Sequence, residues 1–378
     1  MLTGRAFANY ATKKSITRHI DGWHCMEQNI MHQQENCMKS GRANQSFSGR
    51  SIMKNLKNSI LIFFNRKGKL SLKILAAVFL ILVLFWKSYC FIFKLDNVVC
   101  VLIQGRLANA MFQEAFVYTF AKKKNKAAVV FSGENPLANI FTLEGLNWTY
   151  DNTKSCSCYS MYEDKWDCAF DDTFENLHLH DKQTVRVLGY FQSWKYFKGH
   201  EKEIRRLFTF KQNIEEKTHS ILLSIISSLK YKGVTDKTVL VGVHIRRGDY
   251  VSNKVFVDFG YNVASEIYMH NAVKFYQRRY SDLLFIVCGN DIPWARQVLQ
   301  EYDRVYFVEG NTASEDMALL AGTHHTLMTV GTFGWWIGWL TNGTTVYYKH
   351  NFREGTDFMR QFHGSTKEHF PPHWIGLE

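Results

Sequence analysis

Four prolines among 378 residues leave no proline-rich linker or polyproline rod to consider. No Gly-x-Gly-x-x-Gly follows any apolar run, so the usual dinucleotide fingerprint is missing. The eight cysteines include no facing pair of Cys-x-x-Cys elements and no paired histidine spacing, which sets a zinc module aside. Positive charge is scarce where a nucleic-acid binder would need it. The net charge of +12 sits mainly in residues 1–73, with 13 Lys/Arg against 3 Asp/Glu, while the remaining 305 residues hold 33 against 31. A near-neutral body behind a basic arm points away from nucleic acid and toward a membrane-topology signal. Apolar residues are plentiful: they make up 46% of the chain, which excludes wholesale disorder, and the length suffices for two domains.

Residues 1–73 read as a basic, mostly unstructured cytosolic tail. Residues 74–86 are apolar without a break and the run resumes at 89–93, giving about the 20 residues a membrane helix needs. A buried core helix is the alternative for so short an unbroken run. Lys54, Lys57, Arg66, Lys67, Lys69 and Lys73 crowd its N-terminal side. Under the positive-inside rule that bias predicts a single-pass type II anchor over 74–93, with the body on the luminal side. Asn147 and Asn342 then stand in glycosylation sequons on the luminal side, whereas the sequon at Asn44 does not. Cys156, Cys158 and Cys168 cluster in a polar segment, as a luminal disulfide loop would.

The body alternates strands and helices in two stretches, 98–230 and 238–365, separated by the polar linker 230–237. Strand 98–103 runs into Gly105, Arg106 and Asn109, followed by a helix over 113–124 and a strand at 127–131. A fixed charge and an amide at that exit suit a phosphate or sugar beside a helix N-terminus, though an ordinary βα turn reads equally well. Residues 145–180 show no interpretable site, and His178 and His180 read as surface residues. Strand character over 185–194 and helices near 201–208 and 214–229 complete the first half.

In the second half, strands at 239–243, 283–288, 305–308, 326–330 and 345–348 alternate with helices near 265–279, 293–302 and 314–321, the last with Ser314 as its cap. A final helix carries Trp335, Trp336 and Trp339, read as core packing in preference to a sugar platform. This alternation predicts α/β architecture with parallel, doubly wound sheets. The apolar run 239–243 ends in His244, then Arg246, Arg247, Gly248 and Asp249. Ligands of such sheets bind outside the carboxyl ends of the strands, and a guanidinium there can grip phosphate with a fork of donors. A surface ion pair is the bland reading. Four successive exits carry Arg246, Asp291, Glu309 or Thr332 with a glycine nearby, so polar groups are expected to converge on one edge.

Three elements together resemble the α-1,2-fucosyltransferases that use GDP-fucose: 105–109 (GRLAN), 244–250 (HIRRGDY) and 330–336 (VGTFGWW). The resemblance spans essentially all of 98–365. It implies a GT-B-like arrangement of two Rossmann-like halves behind the membrane anchor, an acceptor-side half over 98–230 and a donor-binding half over 238–365. It implies transfer of L-fucose from GDP-fucose to a galactose 2-hydroxyl on a glycan, with inversion, in the Golgi lumen. It also implies no obligatory metal or cofactor, in keeping with the lack of any Asp-x-Asp. Carried over by position, Arg246 is the catalytic residue, stabilising GDP as it departs. Arg106, Asn109, His244, Arg247, Asp316, Thr332 and Phe333 become donor-binding residues, with Asp316 on guanine. The resemblance leaves the general base unassigned, and Asp249 is a candidate by its closeness to Arg246. Ala108 and Ala110 depart from the family's Gly and Gln, which raises a second reading: a catalytically silent, anchored glycan-binding protein.

Overall fold

The computed structural model describes residues 72–92, 96–131, 137–143, 149–150 and 159–378. The tail to residue 71, the sequons at Asn44 and Asn147, and Cys156 and Cys158 lie outside the described residues. The chain divides into two units, Met1–Trp86 and Lys87–Glu378, and the second contains both sheets. The stretch expected to anchor the chain is helical over Leu72–Ile92 (α1), with Phe79, Ile81 and Phe85 exposed. Among the described residues, however, no helix is long and apolar enough to cross a membrane.

The first sheet is parallel throughout: Val98–Leu102 (β1), Ala127–Phe131 (β2), Thr149–Tyr150 (β3), Ser160–Glu163 (β4) and Val185–Leu188 (β5), in the order β3-β2-β1-β5-β4. Leu107–Lys123 (α2) crosses from β1 to β2. Glu201–Leu207 (α3) and Gln212–Ser228 (α4) lead to the second sheet. That sheet starts with Val239–Ile245 (β6), and after the short helices Gly248–Ser252 (α5) and Lys254–Phe259 (α6) comes Glu266–Gln277 (α7). Leu283–Gly289 (β7), Ile292–Leu299 (α8), Val305–Phe307 (β8), Ala313–Ala321 (α9), His325–Met328 (β9), Thr332–Thr341 (α10) and Thr345–Tyr348 (β10) follow. Asp357–Gln361 (α11) and Ile375–Leu377 (β11) close the chain. The strand order is β11-β10-β9-β6-β7-β8. Counted from β6 this is 3-2-1-4-5-6 read from the β8 edge, the dinucleotide-fold order, whose switch point lies between β6 and β9.

β6 is buried from Leu240 onward and pairs with β7 over its full length and with β9 on the other side. Its β-branched, two-sided apolar run is what a central parallel strand demands. One of the three hydrophobic clusters among the described residues reaches both sheets. Phe112 and Phe116 of α2 enter it from the first half, and Trp335, Trp336 and Trp339 of α10 from the second. The Phe112 ring lies 4.6 Å from Trp335 and 4.9 Å from Trp336. The tryptophans are core.

Several expectations need correction. Ser314 does not cap α9; Thr312 does, in a capping box with Glu315. Glu309 does not join the other strand-exit groups but pairs with Arg296 at 2.6 Å on the surface. Strands β4 and β11 escaped notice because short edge strands carry too few residues to show a period. Cys168 is not in a disulfide loop: it is buried and free, with its thiol donating to Gln192 Oε1 at 3.4 Å.

Candidate active site

The site grows from the β6–β9 switch point. The backbone N–H of Arg246 donates to Thr329 Oγ1 at 2.8 Å, which ties the end of β6 to the chain leaving β9. Gly248 opens α5, and the i,i+3 spacing folds Asp249 back so that its Oδ2 accepts from Arg246 Nη2 at 2.7 Å. The Arg246 guanidinium also lies 4.6 Å from the centre of the Tyr250 ring. Asn290, just past β7, braces this turn, receiving the Arg247 N–H on Oδ1 (2.8 Å) and donating to Asp249 Oδ1 (3.3 Å). Arg247 itself faces Asp291 at 3.4 Å and stacks over Trp294 at 4.7 Å. It is held away from Arg246 by its own partners. A Cβ at Gly248 would come within 2.7 Å of Asn290 Nδ2, so this turn admits only glycine without a shift.

His244 lies on the β6 face, flanked in register by Cys288 and Met328. It is buried, its Nδ1 has no hydrogen-bond partner, and Phe333 covers it at 4.9 Å. Burial, reinforced by Arg246, pushes its pKa down to about 3, so the ring is neutral. A buried ring nitrogen without a partner carries a desolvation cost that a ligand donor can relieve. On the same face Asp316 accepts from Asn311 Nδ2 at 3.2 Å and from the Cys288 thiol. Burial raises the Asp316 pKa, and burial followed by Asp316 itself pushes the Cys288 thiol up.

The N-terminus of α10 opens beside Arg246. Gly331 is its N-cap at φ +88°, with no side chain capping the first turn. A Cβ there would meet Arg246 Cγ and the Tyr250 hydroxyl, both at 3.6 Å. Unpaired N–H groups, a helix dipole and a guanidinium at one point make an anion site. Gly334, one turn in, leaves room for His244: a Cβ would lie 2.9 Å from its Nδ1.

The first half reaches the same place through α2. Gly105, at φ +82°, turns the chain after β1, and Arg106 is the exposed N-cap residue of α2. Buried Gln113 clamps this loop, bonding both the N–H and the carbonyl of Gln104 (2.9 and 2.7 Å). Asn109 Oδ1 then accepts from Thr332 Oγ1 (2.9 Å) and from Gln192 Nε2 (3.3 Å). Trp336 Nε1 donates to the Ala108 carbonyl at 3.0 Å. Asn109 and Thr332 therefore meet directly, at the facing exits of the two sheets. Ala108 and Ala110 are both buried in the shared core. Their methyls fill packing space, so the substitutions there do not in themselves obstruct a donor.

Of the residues expected at the site, Arg246, Asp249, Asn109 and Thr332 are joined by direct contacts or by Gly331. His244, Phe333 and Asp316 lie along the adjoining face. Asn342 is the exposed C-cap residue of α10, at φ +56°. Sequence reasoning missed Thr329, Asn290, Gln113 and Gln192 as members. Asn290 carried a signal, since it follows a strand and a glycine; the other three carried none. Among the described residues, no group of three or more His, Cys, Asp or Glu is placed to hold a metal ion.

Residues 71–378 match the family described as Glycosyl transferase family 11. The galactoside alpha-(1,2)-fucosyltransferase 2 of Bos taurus is 32% identical over 279 residues, covering 72% of this chain and 77% of its own. The galactoside 2-alpha-L-fucosyltransferase SEC1 of Bos taurus is 30% identical over 280 residues, covering 72% of both chains. Among solved structures, a NodZ alpha-1,6-fucosyltransferase soaked with GDP-fucose overlays with a TM-score of 0.43 at 14% identity, over 65% of this chain and 93% of that one. That overlay is too loose to bear on this chain.

Proposed function

This chain belongs to glycosyl transferase family 11, and from that premise we propose that it moves L-fucose from GDP-fucose to the 2-hydroxyl of a galactose on a glycan, with inversion. The observation that carries the reading is the anion site where Arg246 meets the uncapped N-terminus of α10. A nucleoside diphosphate leaving group develops charge there as the sugar bond breaks, and donors already fixed in place stabilise that charge without reorganising. Asp249, Thr329 and the Tyr250 ring hold Arg246 in its orientation. His244, Phe333 and Asp316 stand beside it, on the side where the sugar and base would lie. Asn109 and Arg106 bring the first half up to the donor, in a GT-B arrangement.

The membrane anchor and the Golgi lumen belong to the same proposal. Support comes from the apolar run at 74–86, from the basic arm before it, and from Cys100, which is disulfide-bonded, a chemistry of oxidising compartments. The burial of Ala108 and Ala110 removes the motive for a catalytically silent protein. Incubating the full chain in detergent with labelled GDP-fucose and a panel of galactose-terminated acceptors tests the reading. Transfer of label is the expected result; GDP binding with no transfer to any acceptor would leave the silent reading standing instead.

A further inference from the structure

The groups around Arg246 leave the acceptor's proton without an obvious destination. Asp249 is occupied, with Oδ2 on Arg246 and Oδ1 on Asn290. Asp291 faces Arg247, and Asp316 accepts from Asn311 and the Cys288 thiol. His244 is buried beside a cation and holds no proton-accepting capacity near neutrality. Across the cleft, Asp164 is closed in: Oδ2 takes the Phe191 N–H (3.1 Å) and Oδ1 takes the Tyr196 phenol (2.9 Å).

Asp167 is differently placed. It follows β4 at the carboxyl edge of the first sheet, half-buried, and the backbone there is unusual. Asp167 has φ +37°, and the facing Phe191 after β5 has φ +52°, a costly conformation for so large a residue. The two turns are locked together by the Gln192 N–H on the Asp167 carbonyl at 2.7 Å. Among the described residues, the Asp167 carboxylate receives one long hydrogen bond, from the Tyr190 N–H at 3.4 Å. The neighbouring Cys168 continues through Gln192 and Asn109 to Thr332. A second route returns to the anion site through tyrosines. Burial, with Tyr250, Cys168 and Tyr190 adding, raises the Tyr261 pKa. Tyr261 stacks against Tyr250 at 4.2 Å, and Tyr250 carries Arg246.

We infer that Asp167 is the general base that takes the proton from the acceptor hydroxyl. The inference rests on the fucosyl-transfer reading above. The acceptor oxygen forms a bond to fucose C1 while the C1–phosphate oxygen bond breaks, its electron pair leaving on GDP. The hydroxyl proton passes to the ionised Asp167 carboxylate, and water later removes it. Every atom and charge is accounted for with the two substrates alone. Burial pushes the Asp167 carboxyl up to about 6, with the Tyr190 N–H opposing and Glu163 adding. A base just below neutrality is ionised at working pH and still basic enough to accept. The charged and titratable groups around it are Glu163, Asp164 and Cys168 on its own strand and loop and Tyr190 from the β5 exit. From the C-terminal segment, His363 stacks on Trp166 and His369 bonds the Gln192 carbonyl.

The test is transfer by the full chain, as kcat and KM for GDP-fucose between pH 5 and 9. Asn tolerates the left-handed backbone as Asp does, so Asp167→Asn is expected to keep its melting temperature. Its kcat should fall by ~10²–10⁴ with KM for the donor nearly unchanged. The acid limb of the wild-type profile, with its midpoint near 6, should vanish, and Asp167→Glu should recover part of the rate together with a shifted limb. Near-normal turnover in Asp167→Asn, or a lowered rate that keeps the same acid limb, would overturn the inference while the transfer reading stands. A wild-type chain that binds GDP without transferring fucose overturns both.

Discussion

Arg246→Lys isolates what the guanidinium contributes beyond its charge. In the structure one guanidinium nitrogen, Nη2, is committed to Asp249 at 2.7 Å. The Tyr250 hydroxyl bonds the guanidinium as well, and the N–H groups that remain are the ones a leaving phosphate would take. Lysine has one nitrogen, and Asp249 would claim it, so the variant keeps the ion pair and loses the donors meant for the transition state. Removing a single preorganised donor of this kind costs about 2.7–4 kcal/mol, or ~10²–10³ in kcat. Stability should scarcely move. The Arg246–Asp249 pair is part-exposed at 22% and 29%, and such pairs contribute about 0–1 kcal/mol. The contact with Tyr250 adds a similar amount at most. Initial rates against a galactose-terminated acceptor, with a thermal melt alongside, separate the two effects. A kcat within about fivefold of the parent, less than ~1 kcal/mol of barrier, would refute the assignment of Arg246 to the leaving group. A collapse of the melt would refute the claim that the residue serves chemistry more than folding.

Two further outcomes follow from the geometry. Gly334→Ala gains up to ~1 kcal/mol of helix propensity, but its methyl would sit 2.9 Å from His244 Nδ1 and 3.0 Å from Met328 Cβ, and overpacking of that kind costs about 1–3 kcal/mol; the melt should fall slightly and GDP affinity should drop, and an unchanged GDP-induced melt shift would contradict it. His244, with its pKa held at about 3 by burial and by Arg246, binds its proton more readily unfolded than folded. It therefore withdraws stability as pH falls from about 6.5 toward 3, and at pH 5 that amounts to ~2 kcal/mol. His244→Asn should flatten the fall of melting temperature between pH 6.5 and 5, and parallel curves for the two proteins would exclude this.

Much of the architecture was visible in the chain. The strand at β6 was legible from its β-branched run, and Arg246 from its place at the exit. What eluded reading was non-local. Nothing in 98–230 or 238–365 reveals which strands lie side by side, because ladder partners are chosen across tens of residues. Asp249 looked like a base because it stands near Arg246 in sequence. That i,i+3 spacing on a helical turn makes it a partner of Arg246 instead. Thr312 and Ser314 are both good cap formers, and only the reciprocal Glu315 contact decides between them. Asp167 lay in a stretch without periodicity, where neither helix nor strand pattern points a side chain anywhere. Its role emerges only when β4 and β5 bring their exits together.

The aromatic cluster shared by α2 and α10 has a bearing on motion. Phe112, Trp335 and Trp336 are almost wholly buried, and each contributes on the order of 1.5–3 kcal/mol by staying so. Prising the halves apart to admit a nucleotide would expose these rings together. Opening by a wide hinge is thus as costly as partial unfolding. The spacing between Asn109 and Thr332 is accordingly a property of the folded resting state, present before either substrate arrives.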